Sequence, residues 1–192
     1  MTELLRHNIE SQIALSDAEY ALARSMFRPA TVRRRGLLLA EGQRCDAIYF
    51  IERGALFSYK TGAAGDIHVV QFGVEGHWIS DLYSFFSGAP ALYSIEATED
   101  SALLALDTAG FEQLCAAQPK FDRMFRIQIQ NAYIELQRRL AETFSEDGER
   151  RYRALVDGQP AIARRFPQYL IASYLGIRPQ SLSRIRKRLG SP

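Results

Sequence analysis

The chain has 192 residues, of which 47% are hydrophobic and 11% aromatic, which is ample for a packed core and excludes a disordered regulator. Its formal net charge of +2 is unevenly spread, because residues 164–192 hold seven basic and no acidic residues, whereas residues 1–163 hold 17 basic and 22 acidic ones. No apolar run approaches the roughly 20 residues that span a bilayer, and residues 1–6 lack the charged-then-apolar order of a signal peptide, so we expect a cytoplasmic protein with no membrane partner.

The N-terminal part of the chain changes from a helical pattern to a strand pattern. Ser16 and Glu19 form a capping box, which predicts the start of an early helix. After Pro29, short β-type stretches alternate with glycines at turn positions, a pattern typical of an antiparallel β-barrel or jelly roll. We therefore predict an α+β fold. The predicted strand segments lie at Val32 and at residues 37–39, 48–51, 55–57, 69–72 and 102–106.

A helical half follows the predicted strands. Asp107 is a candidate N-cap, with Leu106 and Phe111 placed for a hydrophobic staple. Pro119 interrupts this helix, and the absence of Gly and Pro between residues 120 and 144 predicts one long helix there. An apolar stripe of near-heptad spacing follows this helix, and a second copy of the chain would bury it. The predicted stripe consists of Phe125, Ile129, Ala132, Leu136 and Leu140.

The end of the chain has the layout of a helix-turn-helix, in which a second helix enters the DNA major groove. Ala172 is small where the second helix crosses the first, and Gly176 stands where the first helix ends and a positive φ is needed. Pro179 falls at the first position of the second helix, where its missing N–H costs nothing. The inward apolar positions are Ile171, Leu175, Ile177, Leu182 and Ile185.

The basic charge of this segment favours a DNA-binding helix over a merely solvated helical hairpin. Gln180, Ser181 and Arg184 share the exposed leading face of the second helix, where Gln can pair with adenine and Arg with guanine. The remaining polar positions are better placed for phosphates, which fix the position of a protein without reading sequence. The predicted DNA-binding set is Arg178, Pro179, Gln180, Ser181, Ser183, Arg184, Lys187 and Arg188.

These features together resemble the CRP/FNR family of bacterial transcription regulators, and in particular a compact subfamily common in Bacteroidetes. Residues 38–54 are similar to the family's paired Gly-turn strands, residues 76–82 stand at its phosphate-binding cassette, and residues 172–177 are similar to its helix-turn-helix core. The resemblance implies a cyclic-nucleotide-binding-like sensor barrel over residues 1–119, a dimerisation helix over residues 120–144, and a helix-turn-helix domain over residues 145–192.

The resemblance also implies the partners. A CRP/FNR-type regulator is a homodimer that binds a palindrome in double-stranded DNA and works with RNA polymerase. At Arg178 this chain departs from the Ser or Thr that is usual in the family, and so gives up a side-chain N-cap worth about 1 kcal/mol. The alternative function is a cyclic-nucleotide-binding-like regulatory module that acts on a protein partner.

The phosphate-binding cassette departs sharply from that of cyclic-nucleotide binders. Ser80 and Asp81 stand in place of the family's Gly-Glu pair, Ala91 and Leu92 stand in place of its Arg-Ser pair, and no Arg or Lys occurs between residues 78 and 101. A buried phosphate needs a charge-assisted partner, so we expect that cyclic AMP is not the effector. The segment takes either another, apolar ligand or no ligand at all; its candidate residues are Trp78, Ile79, Ser80, Asp81, Leu82, Ala91, Leu92 and Tyr93.

Other cofactors and enzymatic chemistry find no support in the residue pattern. Residues 1–30 contain no Cys, which argues against the family's iron–sulfur mode, and Cys45 and Cys115 are too far apart in sequence for a metal-type or redox-type pair. The His-x-His cluster of a metal-binding cupin and the motifs of nucleophilic catalysis are both missing. We therefore predict no metal, no catalytic residue and no enzymatic activity, and leave the effector unknown.

Overall fold

The computed structural model describes residues 3–145 and 147–190. The N-terminal helices are α1 (Glu3–Glu10), α2 (Asp17–Met26), α3 (Leu82–Ser87) and α4 (Thr108–Ala117). The strands are β1 (Arg28–Val32), β2 (Leu37–Leu39), β3 (Ala47–Arg53), β4 (Leu56–Thr61), β5 (Ile67–Gly73), β6 (Trp78–Ile79), β7 (Ser94–Ala97) and β8 (Ser101–Asp107). The later helices are α5 (Pro119–Ser145), α6 (Gly148–Gly158), α7 (Pro160–Arg165), α8 (Gln168–Tyr174) and α9 (Pro179–Leu189). Over the described ranges, no helix is long and apolar enough to cross a membrane.

The strands form two antiparallel sheets of four strands each, in the orders β1-β8-β3-β6 and β2-β7-β4-β5. Side chains from both sheets, including Ile51, Leu56, Ile95 and Leu103, share one buried cluster. The predicted α+β class and jelly-roll arrangement are therefore confirmed, whereas the closed barrel is wrong. Except for the directly paired β4 and β5, successive strands lie in different sheets, and the hydrogen-bonded ladder of each sheet ends at an edge strand instead of closing.

The sequence signals that depend only on neighbouring residues are found as predicted. Ser16 and Glu19 form the capping box of α2, and the Asp107 side chain accepts the Gly110 N–H at 2.8 Å at the start of α4. Pro119 is the first residue of α5, because its fixed φ suits a first helical turn. The sequence pattern does not predict α1, α3 or the short strands β6 and β7, because these elements lack a long periodic pattern.

The C-terminal helices pack against β5, an edge strand of the second sheet. The Ser173 hydroxyl of α8 accepts the Val69 N–H at 2.9 Å and donates to the Ile67 carbonyl at 2.5 Å. Phe72 of β5 lies between Phe166 and Tyr174, at ring-centroid distances of 4.2 and 5.0 Å. As a result, side chains of the second sheet and of helices α6, α7, α8 and α9 form a single buried cluster.

An ion-pair cluster lies at the border of the same contact. The Arg165 guanidinium at the end of α7 bonds to the carboxylates of both Glu75 and Glu99, the latter at 2.7 Å. Burial raises the pKa of Glu75, but the hydrogen bonds from Arg165 and from the Gly54 N–H outweigh it and lower this pKa to about 2. The Glu75 carboxylate is therefore charged at neutral pH, and its contribution to stability is lost only as the pH falls from about 4.5 towards 2.

The turn between α8 and α9 is held by its own backbone. Gly176 has a φ of 64°, its N–H bonds to the Ser173 carbonyl, and the next N–H, of Ile177, bonds to the Ala172 carbonyl. These two bonds form the Schellman motif that ends a helix with a left-handed residue. The predicted roles of Gly176 and of Pro179 as the first residue of α9 are thus confirmed.

We expect Ser173→Ala to lower the free energy of unfolding by about 1–3 kcal/mol, because it leaves two backbone groups of β5 without their partner. Thermal denaturation followed by circular dichroism measures this as a drop of a few degrees in Tm. The matched control is Ser183→Ala, on the exposed face of α9, which should leave Tm unchanged. Equal Tm values for both variants would contradict the assigned role of Ser173.

Candidate functional site

One side of α9 is exposed along its whole length. Leu182 and Ile185 are buried and fix the helix to the rest of the molecule. Gln180, Ser183 and Arg184 all point away from this contact and are exposed. Lys187, Arg188 and Arg178 are exposed as well, whereas Ser181 is half-buried. Helix α9 therefore presents a polar, basic face that other parts of the chain do not cover.

The start of α9 has the geometry that the sequence predicts. Arg178 is the N-cap, with φ −72° and ψ 144°, and its side chain makes no capping hydrogen bond. The carbonyl of Arg178 accepts the N–H groups of Ser181 and Leu182, which leaves the N–H of Gln180 among those at the helix start without an intrahelical partner. The Arg178 side chain itself is exposed.

Two of the basic residues counted for this segment are already paired within the molecule. Arg165 is held by Glu75 and Glu99 on the sheet side, and Arg188 forms an ion pair of 2.7 Å with Glu149 of α6. The position of Arg188 on the helix predicts a phosphate contact, but its partner Glu149 lies 39 residues earlier in the chain. Such a contact has no signal in local spacing.

The cassette around α3 is organised by one buried carboxylate. Asp81 is 2% exposed, and its Oδ1 accepts the Ser84 N–H at 2.9 Å, capping α3. Its Oδ2 accepts the Leu92 N–H at 2.7 Å and the Tyr93 N–H at 3.0 Å. The backbone N–H groups of this loop are therefore occupied by a negative group that belongs to the chain itself.

Most of the remaining candidate pocket residues contribute to the core. Trp78 packs against Phe50 and Phe125 and donates its indole N–H to Asn8 at 2.9 Å. Ile79 and Ala91 are buried, the Ser80 hydroxyl donates to the Ala47 carbonyl at 3.0 Å, Leu82 and Tyr93 are half-buried, and Leu92 is exposed. The structure thus brings only Leu92 and Tyr93 of these residues into hydrogen-bond contact with Asp81, whereas Trp78 packs in one apolar cluster and Ile79 and Ala91 in another.

The apolar stripe of α5 divides into a buried and an exposed part. Phe125 is 5% exposed and contacts Phe111 and Trp78, so it is not available to a partner. Ile129, Leu136 and Leu140 are 38%, 49% and 50% exposed, and Ala132 is exposed. Tyr133, which is not part of the predicted stripe, is 60% exposed and lies between Ile129 and Leu136 on the same side of the helix.

Comparison with known protein families finds a match for the N-terminal part of the chain. The family described as the cyclic nucleotide-binding domain matches residues 24–118, which cover β1 to α4. The match includes α3 and the Asp81 loop. No curated protein matches the sequence.

Solved structures are similar to the chain over nearly its whole length. FixK2 from Bradyrhizobium japonicum has 15% identity and a TM-score of 0.76, covering 85% of this chain and 84% of that one. CLP from Xanthomonas campestris, described as a c-di-GMP responsive global regulator, has 12% identity and a TM-score of 0.70, covering 91% and 92%. The catabolite activator protein from Thermus thermophilus has 19% identity and a TM-score of 0.56, covering 95% and 86%. Residues 24–118 are thus similar to the cyclic nucleotide-binding domain, and the chain as a whole has the fold of these solved regulators.

Proposed function

We propose that this chain is a transcription regulator of the CRP/FNR type, which binds double-stranded DNA as a homodimer through α9. The observation that carries the proposal is the exposed basic face of α9, fixed on a helix-turn-helix whose first helix is buried. The three segments then have separate tasks: residues 1–119 sense, residues 120–144 dimerise and residues 145–192 bind DNA. RNA polymerase is the expected partner at the promoter, and the cytoplasm the expected location.

The arrangement of α9 supports a division between base reading and positioning. Gln180 and Arg184 are one helical turn apart and exposed, so that both can reach base edges in the major groove. Lys187 and Ser183 flank them and suit phosphate oxygens. In a two-fold dimer the two copies of α9 would read half-sites roughly 34 Å apart, which favours a palindrome.

We expect Arg184→Ala to weaken binding by about 1–3 kcal/mol and to relax specificity at one base position, because it removes a base contact. Lys187→Ala should instead weaken binding to all sequences alike and reduce the salt slope by about one. Selection from randomised duplexes gives the preferred site, and anisotropy titrations at several salt concentrations give the slope. An unchanged site preference for Arg184→Ala would contradict the base-reading assignment.

Binding to a protein partner without any salt-dependent DNA binding would favour the regulatory-module function instead.

The exposed stripe of α5 supports the homodimer. Ile129, Tyr133, Leu136 and Leu140 follow one another at alternating spacings of four and three residues, which is the repeat of a two-stranded helix pair. All four are between 38% and 60% exposed in the single chain. A second copy of α5 would remove these side chains from water.

Replacing both Ile129 and Leu136 with Glu should give a monomer and weaken DNA binding, because four charges would face each other across the two-fold axis. The matched control is Ile134→Glu. Ile134 is 63% exposed but lies two residues from Leu136 and therefore on another side of the helix. Analytical ultracentrifugation should find a dimer for this control and for the unchanged protein at micromolar concentration; a monomeric unchanged protein would overturn the homodimer.

We also propose that the effector is not cyclic AMP or cyclic GMP. Two features support this: the place of the phosphate-holding Arg-Ser pair is taken by Ala91 and Leu92, and the N–H groups of Leu92 and Tyr93 already bind Asp81. A cyclic phosphate there would face the Asp81 carboxylate without a compensating guanidinium.

Isothermal titration calorimetry of the purified dimer with cyclic AMP and cyclic GMP should therefore detect no binding at physiological nucleotide concentrations. A dissociation constant in the micromolar range for either nucleotide would contradict this expectation. The same titration after extensive dialysis distinguishes weak binding from a site already filled during purification.

A further inference from the structure

An acidic edge borders the exposed face of α9. Asp147 and Glu149, at the start of α6, line a groove whose other wall is formed by Ser181, Arg184 and Arg188. Arg188 comes one turn after Arg184, so the groove follows the side of α9 that is proposed to meet DNA. Negative side chains are unexpected here, since DNA phosphates would lie close to them.

The start of α6 is fixed firmly beside α9. Asp147 caps the helix by accepting the Arg150 N–H at 2.9 Å. Gly148 lies so close to the turn between α8 and α9 that a Cβ atom there would be 2.7 Å from Ile177 Cγ2. The start of α6, and with it Glu149, therefore lies directly beside the turn that leads into α9.

The Glu149 carboxylate binds two arginines at once. Its Oε1 accepts from Arg153 Nη2 at 2.8 Å, and its Oε2 lies 2.7 Å from Arg188 Nη2. The Glu149 side chain is 24% exposed, compared with 65% for Arg188 and 58% for Arg153. Each guanidinium therefore faces solvent while one carboxylate between them cancels part of their charge.

We propose that Glu149 is a specificity-determining residue that limits the affinity of the chain for DNA of any sequence. Its charge offsets Arg188 and Arg153 at the edge of the interface, so that fewer phosphates are neutralised on binding. Base contacts from Gln180 and Arg184 do not involve Glu149. The carboxylate thus weakens non-specific binding more than it weakens binding to the correct site, which raises the ratio between the two.

This inference rests on the proposed DNA-binding function and differs from a purely structural role for the same ion pair. If Glu149 only fastened α6 to α9, removing its charge would loosen the helix-turn-helix and weaken DNA binding. If it limits phosphate contacts, removing its charge strengthens binding to non-specific DNA. The two roles predict opposite signs.

The test compares Glu149→Gln with Glu112→Gln, which removes the same charge from an exposed position on α4. Anisotropy titrations use a non-specific duplex and the selected palindrome at several salt concentrations. Glu149→Gln should bind the non-specific duplex about three- to tenfold more tightly at low salt, with a salt slope steeper by about one to two, because two arginines become free for phosphates. The ratio of specific to non-specific affinity should fall, while Glu112→Gln should leave both quantities nearly unchanged.

Two further variants check whether misfolding or a general change in charge explains the result. Glu149→Ala should show the same tighter non-specific binding, with circular dichroism and Tm checking the fold. Glu149→Gln combined with Arg188→Ala should lose about half of the added salt slope. Non-specific affinity that is unchanged or weaker in both Glu149 variants, or raised equally by Glu112→Gln, would overturn the role of Glu149. An unchanged protein without salt-dependent DNA binding would overturn the proposed function itself.

Discussion

The structure depends on how the outer edge of β5 is covered. An edge strand exposes backbone N–H and carbonyl groups that need partners, and in this chain Ser173 supplies them for Val69 and Ile67. The hydroxyl can donate and accept at once, so one side chain serves both groups. Phe72 on the same strand adds an aromatic contact with Phe166 and Tyr174. The helix-turn-helix is therefore attached through its first helix.

This attachment determines which face of α9 remains exposed to solvent. Helix α8 is in contact with the sheet on one side and with α9 on another, and its residues Leu170, Ile171 and Ala172 are fully buried. Helix α9 uses Leu182 and Ile185 for packing, which leaves its opposite face in solvent. The Arg165 cluster fixes the same contact by charge and so uses one of the seven basic residues that make residues 164–192 positively charged. A basic residue near a helix-turn-helix is thus not by itself a DNA contact.

The sequence predicted what short-range physical chemistry determines. The capping box of α2, the Asp107 N-cap, the Schellman turn at Gly176 and Pro179 all involve residues within about one or two turns of each other, so their spacing is visible in the chain. The length of α5 is visible in another way, as a stretch without Gly or Pro. The contacts that define the sites join distant residues: Ser173 with Val69, Arg165 with Glu75, and Arg188 with Glu149. The sequence contains no period or motif that pairs them. Phe125 is a further example. Its position in the heptad stripe predicts an exposed contact residue, but the structure buries it against Phe111 and Trp78, which are distant in sequence or on another helix.

In the cassette, the backbone N–H groups of a loop find their hydrogen-bond acceptor within the chain. A loop that presents backbone N–H groups next to a helix start attracts an anion, and leaving those groups buried without an acceptor would cost about 1–3 kcal/mol each. Asp81 supplies the acceptor for Ser84, Leu92 and Tyr93 from within the chain. The loop is therefore stable without a bound phosphate, and the fold needs no external anion to hold α3 in place. In the same way Glu149 provides an internal anion for Arg188 and Arg153 at the other end of the molecule. In both regions the donors that could hold a phosphate, backbone N–H groups in one and guanidinium groups in the other, are bound to a carboxylate of the chain itself.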